Sequence, residues 1–179
     1  MKKLLSLAIS LFFMLNVISA LDVSCTYASF NALEFNYTEI YITVIGSTID
    51  YEPLKNDTTQ FQGAVNVLLL IKQGDKIIKV EKYNMSSPIT QRAINFMDIK
   101  RFQLDEGSYE LELAVTDVLD ETNKMIYNSS FKVGFPKEKI SQSDILLLSS
   151  YKKDDSNFQC CFRGSINDEF YGNLSCIAT

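Results

Sequence analysis

The chain has 179 residues, 22 of them acidic and 17 basic, for a net charge of −5, and it contains neither histidine nor tryptophan. An acidic chain with no basic stripe repels phosphate backbones and anionic membrane surfaces, which excludes nucleic acid as a partner. The missing histidine removes the commonest general base and metal ligand, so Ser-His-Asp triads, Cys-His dyads and histidine-bound zinc are excluded.

The first element in chain order is a leader. Met1-Lys2-Lys3 supplies a positive start, Leu4 to Leu15 an apolar run, and Asn16-Val17-Ile18-Ser19-Ala20 a small-residue end. These are the three parts of a secretory signal peptide, with cleavage expected after Ala20. The apolar run falls short of the roughly 20 residues that span a bilayer, which weighs against the alternative of an uncleaved anchor. A lipid-modified Cys25 is disfavoured, because Asp22 stands where an apolar residue is needed. No later apolar run is long enough to cross a membrane: Leu68 to Ile71 and Ile145 to Leu148 read as buried strand segments. The product is therefore expected in the periplasm, at the cell surface or secreted, with no transmembrane span after cleavage. The chain beyond Ala20 is long enough for one domain with a well-buried core.

Beyond the leader the pattern is that of strands, rich in Tyr, Phe, Ile, Val and Thr. Ala32 to Ile45 is a strand-forming run that Gly46-Ser47 interrupts, and Tyr41 to Tyr51 is one bulged strand or two short ones. Gly63 to Lys72 carries a central apolar run that predicts burial on both faces. Gln73-Gly74-Asp75 turns the chain, the glycine supplying the unusual backbone angle, and Lys76 to Tyr83 returns. Ser86 to Asn95, with Pro88 inside it, is a long connection. Phe102 and Leu104 alternate with Arg101 and Gln103 before an Asp105-Glu106-Gly107 turn. Tyr109, Leu111, Leu113 and Val115 then alternate with Ser108, Glu110, Glu112, Ala114 and Thr116, a period of two that a helix does not produce. After the loop Asp120 to Asn123, the residues Tyr127, Ser129, Phe131, Val133 and Phe135 form one face. The last three runs predict an antiparallel meander.

Pro136-Lys137-Glu138-Lys139 marks a boundary or sharp turn. Ile145 to Tyr151 is a last strand or the start of a segment beyond the domain. There is no convincing amphipathic helix and no internal repeat. The whole predicts an all-β fold, an antiparallel β-sandwich of about seven strands, immunoglobulin/fibronectin-like. Residues 1–20 are the signal peptide and 21–151 the sandwich. Residues 152–179 are a polar, Cys-containing tail, read as disordered or as a non-native continuation.

Five stretches, taken in order, carry a family resemblance: Tyr41 to Gly46, Gln62 to Val67, Leu70 to Asp75, Gly107 to Leu113 and Phe135 to Ile145. With them the region from about Leu21 to Lys153 resembles the N-terminal β domain of exported GWxTD-domain proteins of Bacteroidetes-type bacteria. The Gly-Trp-x-Thr-Asp motif itself is absent, since the chain has no tryptophan. The resemblance implies the N-terminal β domain alone, from a short or truncated protein, and speaks to location and architecture more than to activity.

Side chains able to carry chemistry are few. Cys25, Cys160, Cys161 and Cys176 make an even set in an exported chain, where disulfides are chemically plausible. Adjacent Cys160 and Cys161 form a strained bridge, which leaves Cys25 joined to one of them and Cys176 to the other, unless the tail is disordered and its thiols incidental. Spacing and compartment argue against zinc. The acidic loop Asp117 to Asn123 lacks the ligand alternation and central glycine of a calcium loop and reads as a solvated hairpin loop. Phe30, Phe35, Tyr37, Tyr41, Tyr51, Tyr83 and Tyr109 are needed to fill a tryptophan-free core. An exposed row of them would instead stack on sugar rings or receive a partner. Asn-x-Ser/Thr sequons at Asn36, Asn56, Asn84, Asn128 and Asn173 matter only in a eukaryotic secretory path. Asp57-Thr58-Thr59 resembles a short O-glycosylation signal of Bacteroidetes exported proteins. No carboxylate pair stands out as an acid–base couple.

The expected function is an exported, non-catalytic structural or protein-interaction domain without cofactor, meeting a protein or a neighbouring domain in the cell envelope. The alternatives are a carbohydrate- or ligand-binding sandwich and the accessory domain of a larger envelope protein or enzyme.

Overall fold

The computed structural model describes residues 20–31, 35–135 and 143–145, and the backbone of three short strands within 150–176. The chain is built of β1 (Val23–Asn31), β2 (Asn36–Val44), β3 (Glu52–Leu54), β4 (Asp57–Gln62), β5 (Ala64–Gln73), β6 (Lys76–Ser86), β7 (Phe96–Gln103), β8 (Gly107–Asp117) and β9 (Lys124–Val133). Two antiparallel sheets, ordered β1-β2-β7 and β6-β5-β8-β9, form the sandwich, and β3 with β4 makes a separate hairpin. Ala20 is exposed and Leu21 is buried.

Both sheets contribute to one core. From the three-stranded sheet come Val23, Cys25, Ile40, Ile42, Val44, Phe96 and Phe102. From the four-stranded sheet come Val65, Val67, Leu69, Ile71, Tyr109, Leu111, Leu113, Val115, Phe131 and Val133. These positions recur at period two along their strands, as a sheet with one face packed requires. Each fully buried Leu or Ile contributes roughly 1.5–3 kcal/mol from removal of its apolar surface from water.

The structure corrects the expected burial of β5. Val65, Val67, Leu69 and Ile71 are buried, but Leu68 and Leu70 on the opposite face are only half-buried. The outward face of this sheet carries no packed layer among the described residues, so the apolar run in β5 is deeper on one side than on the other.

A second correction concerns connectivity. β8 and β9 pair as a hairpin, but β7 pairs with β2 in the other sheet rather than with β8. The chain changes sheets at Asp105-Glu106-Gly107. There Tyr109 Oη donates to Asp105 O at 2.8 Å, and this bond fixes the corner from within β8. The three runs are sequential but do not form a meander.

Elsewhere the turn chemistry is as expected. Gly74 adopts φ +58° between β5 and β6, a backbone angle that glycine takes without steric penalty. Gly46 opens the 3-10 turn Gly46–Thr48, where a Cβ would collide with the carbonyl of Ile94, so only glycine fits. That turn divides Tyr41 to Tyr51 into the end of β2 and the approach to β3. The β3–β4 hairpin was not expected from the sequence; its strands are short, polar and interrupted by a register shift at Pro53/Leu54.

Beyond the body, β10 (Ser150–Lys153), β11 (Phe158–Cys161) and β12 (Ser175–Cys176) pair antiparallel in that order. Of the predicted last strand, Ser150 and Tyr151 are in β10. The boundary predicted at Pro136 to Lys139 lies outside the described residues.

Candidate functional site

Three polar clusters interrupt the apolar body. The first lies on the outward face of the three-stranded sheet. Glu39 has the opposite parity to Ile40 and Ile42 yet is buried, and the cross-strand register puts Arg101 beside it. Arg101 Nε and Nη2 approach Glu39 Oε1 at 2.7 and 2.5 Å, and Tyr41 Oη donates to Glu39 Oε2. Both carboxylate oxygens are thus engaged, as a buried charge requires. Burial and then the Glu39 contact hold the Tyr41 hydroxyl well above the usual tyrosine range. Burial likewise raises Tyr37, whose ring lies 5.3 Å from the Arg101 guanidinium carbon.

The second cluster lines the open side between β6 and β7. Asp98 and Lys100 share the core-facing parity of Phe96 and Phe102, and they form an ion pair at 3.0 Å. Lys100 Nζ also sits 3.8 Å from the centroid of the Tyr83 ring. Burial, followed by nearby Asp98, pushes the Tyr83 hydroxyl up. Cys25 is a free thiol, buried and pushed up to about 12 by that burial, so it stays protonated and unreactive at neutral pH. The side chains of Cys160, Cys161 and Cys176, the partners expected for Cys25, lie outside the described residues.

The third cluster closes one end of the sandwich. Asp117 is fully buried, and its carboxylate accepts from Asp50 N at 2.8 Å and from Leu119 N at 2.9 Å. Asn123 Oδ1 accepts from Leu21 N at 2.7 Å, and Asn123 Nδ2 donates to Thr48 O at 2.9 Å. Asp120 Oδ1 accepts from the backbone and hydroxyl of Thr122. The acidic loop is thus the β8–β9 hairpin loop, its Asp117 and Asp120 carboxylates turned to donors within the loop and to the backbone of Asp50. Among the described residues no group of three His, Cys, Asp or Glu is placed to hold a metal ion.

The predicted aromatics divide. Tyr41 and Tyr109 are buried, Phe30, Tyr37, Tyr51 and Tyr83 half-buried, and Phe35 is 45% exposed. Phe30 and Tyr37 stack with centroids 5.3 Å apart, and Phe35 tilts against Tyr37 at 6.3 Å. Of the sequon asparagines, Asn56, Asn84 and Asn128 are exposed and Asn36 half-buried, while Asn173 lies outside the described residues. Asp57 Oδ1 accepts from the hydroxyl and backbone of Thr59, leaving Thr58 exposed.

What remains available for contact is backbone. The two sheets have four edges, β1, β7, β6 and β9. The last three residues of the β1 edge are occupied by residues beyond the body: Ser29 N donates to Asp144 Oδ2 at 2.7 Å, Asp144 N to Ser29 O at 2.9 Å, and Asn31 N to Ser143 Oγ at 2.9 Å. β7 turns Asp98 and Lys100 inward. β6 carries a bulge opposite Ile71/Lys72, with Lys79 and Glu81 on its core-side parity. Inward charges and bulges are devices that blunt a strand edge against further pairing. β9 has neither, and its ten-residue ladder to β8 is regular throughout.

No family model, curated protein or solved structure matches the chain.

Proposed function

We propose that the chain is an exported, non-catalytic interaction or structural module of the cell envelope, built on an immunoglobulin/fibronectin-like body. The observation that carries this reading is the contrast between engaged side chains and open backbone. The carboxylates of Glu39, Asp98, Asp117 and Asp120 are committed to structural partners, and the Cys25 thiol is buried and protonated. One long sheet edge, β9, is left regular, and Tyr27 alone bonds to its outward backbone, at Ser130, among the described residues.

The architecture supports the finer fold class. The fourth strand of the sandwich, β6, joins the four-stranded sheet beside β5, and β7 joins β2 across the sandwich. Tyr109, near the start of β8, bonds back to Asp105 O. A tyrosine at this corner is a recurring feature of immunoglobulin-like sandwiches. Export rests on the leader ending at Ala20, and the GWxTD-domain resemblance points to the same compartment.

The test is affinity capture with the processed chain in envelope extracts, paired with fractionation of the producing cells. A reproducible envelope partner and a product starting at Leu21 are expected. Cytosolic recovery of the full-length chain, or turnover on a broad hydrolase panel, would overturn the reading. The Phe30, Tyr37 and Phe35 group favours a second reading, a sugar-binding surface. Glycan-array binding lost on Phe35→Ala would establish it.

A further inference from the structure

The interaction reading leaves open which surface is used and what it receives, and the four edges differ enough to choose among them. Ser130 O of β9 accepts from Tyr27 Oη at 3.4 Å, on the side away from β8. Asn123 O, at the hairpin end, accepts from Asp117 N of β8. Backbone groups alternate sides along a regular strand, so those of Lys124, Ile126 and Asn128 point outward with Ser130. Among the described residues they have no hydrogen-bond partner on that side.

The side chains flanking this edge define its partner. On the outward face Ile126 is 68% exposed and ends a cross-strand row with Ala114 and Leu68. That row ends on β6 at Lys82, while Leu70 and Val80 pair in the next one. An added strand with an apolar residue opposite Ile126 would continue the row that Ile126 ends. β9 is basic on an acidic chain: it holds Lys124 and Lys132, both exposed, and no carboxylate. A second copy of the chain fits poorly. Antiparallel self-pairing centred on Asn128 sets Lys124 against Lys132, and like charges directly opposite destabilise a pair of strands.

Resting on the interaction-module reading, we propose that β9 is the acceptor edge. It receives an extended segment of a partner protein as an antiparallel fifth strand, acidic opposite Lys124 and Lys132 and apolar opposite Ile126. Main-chain hydrogen bonds supply the affinity of such strand addition, and alternate side chains supply its specificity.

The probe is a capped synthetic peptide spanning Lys124 to Lys132. It has glutamate at both ends, isoleucine opposite Ile126, and valine and threonine elsewhere; its counterpart carries lysine at both ends. Amide exchange of the processed full chain, monitored by NMR, should show new protection at Lys124, Ile126 and Asn128. The glutamate-ended peptide should bind about tenfold more tightly, the size expected of reversing two cross-strand charge pairs. Asn128→Pro removes an outward N–H without touching the ladder to β8, and should abolish binding. Lys124→Glu with Lys132→Glu should reverse the preference between peptides while leaving the fold intact.

Protection at β6 or β7 instead, equal binding of both peptides, or self-association through β9 would overturn the assignment. Should an envelope partner bind Asn128→Pro as well as it binds the parent chain, the interaction reading stands and the β9 assignment falls. Should no partner bind either form, the reading itself falls.

Discussion

At the scale of single residues, the body spends its ionisable groups on holding itself together. Cys25 is the clearest case. Its thiol is buried, which pushes it from 9.0 up to about 12. The unfolded chain releases this proton near the ordinary value, whereas the folded chain keeps it until about pH 12. Stability is therefore full below pH 9 and falls as pH rises through that window, by up to about 1.4 kcal/mol per unit for one such group. Tyr41 and Tyr83, raised from 10.0, act in the same direction. Urea unfolding measured from pH 7 to 11 should show this decline, and Cys25→Val should delay its onset to about pH 10, where the tyrosines begin. A flat profile in the parent chain would contradict the burial of these groups.

At the scale of elements, the corner between β7 and β8 decides the topology. Runs that look like neighbours in sequence belong to different sheets, because Tyr109 ties the turn to its own start at Asp105. Tyr109→Phe keeps the ring, which stacks on Phe131 with centroids 5.5 Å apart, and removes only that bond. It should lower the free energy of unfolding by about 1 kcal/mol without changing the denaturant slope, as loss of one hydrogen bond with packing retained predicts. Period-two alternation made β8 and β9 legible, and Gly74 marked its turn. The sheet to which each strand belongs was not legible, because a strand's side-chain pattern records which face is buried and not which neighbour it pairs with. The signal at the corner was present in the spacing of Asp105, Gly107 and Tyr109, but alternation alone reads this as an ordinary turn. The β3–β4 hairpin was missed because it is too polar and short to show a pattern. The Glu39 and Arg101 pair was missed because only the register brings together residues so far apart in sequence.

At the scale of the whole molecule, the two sheets share one continuous core. A defect in either sheet should therefore be felt by both. Leu69 is fully buried in the interior strand β5, and Leu69→Ala should cost about 2–5 kcal/mol. It should shift one common transition rather than split it, whether unfolding is read by far-ultraviolet dichroism or by tyrosine fluorescence. Separate midpoints for the two probes would mean that the sheets melt independently.

The placement of Ser143 and Asp144 along β1 has a mechanical consequence. Anything tethered after Ile145 does not tug directly on β9, the last strand of the body. A pull from that direction first meets the hydrogen bonds to Ser29 and Asn31. These act as a strain relief: they yield before the sandwich does, and when they yield the first strand is left bare along its flank.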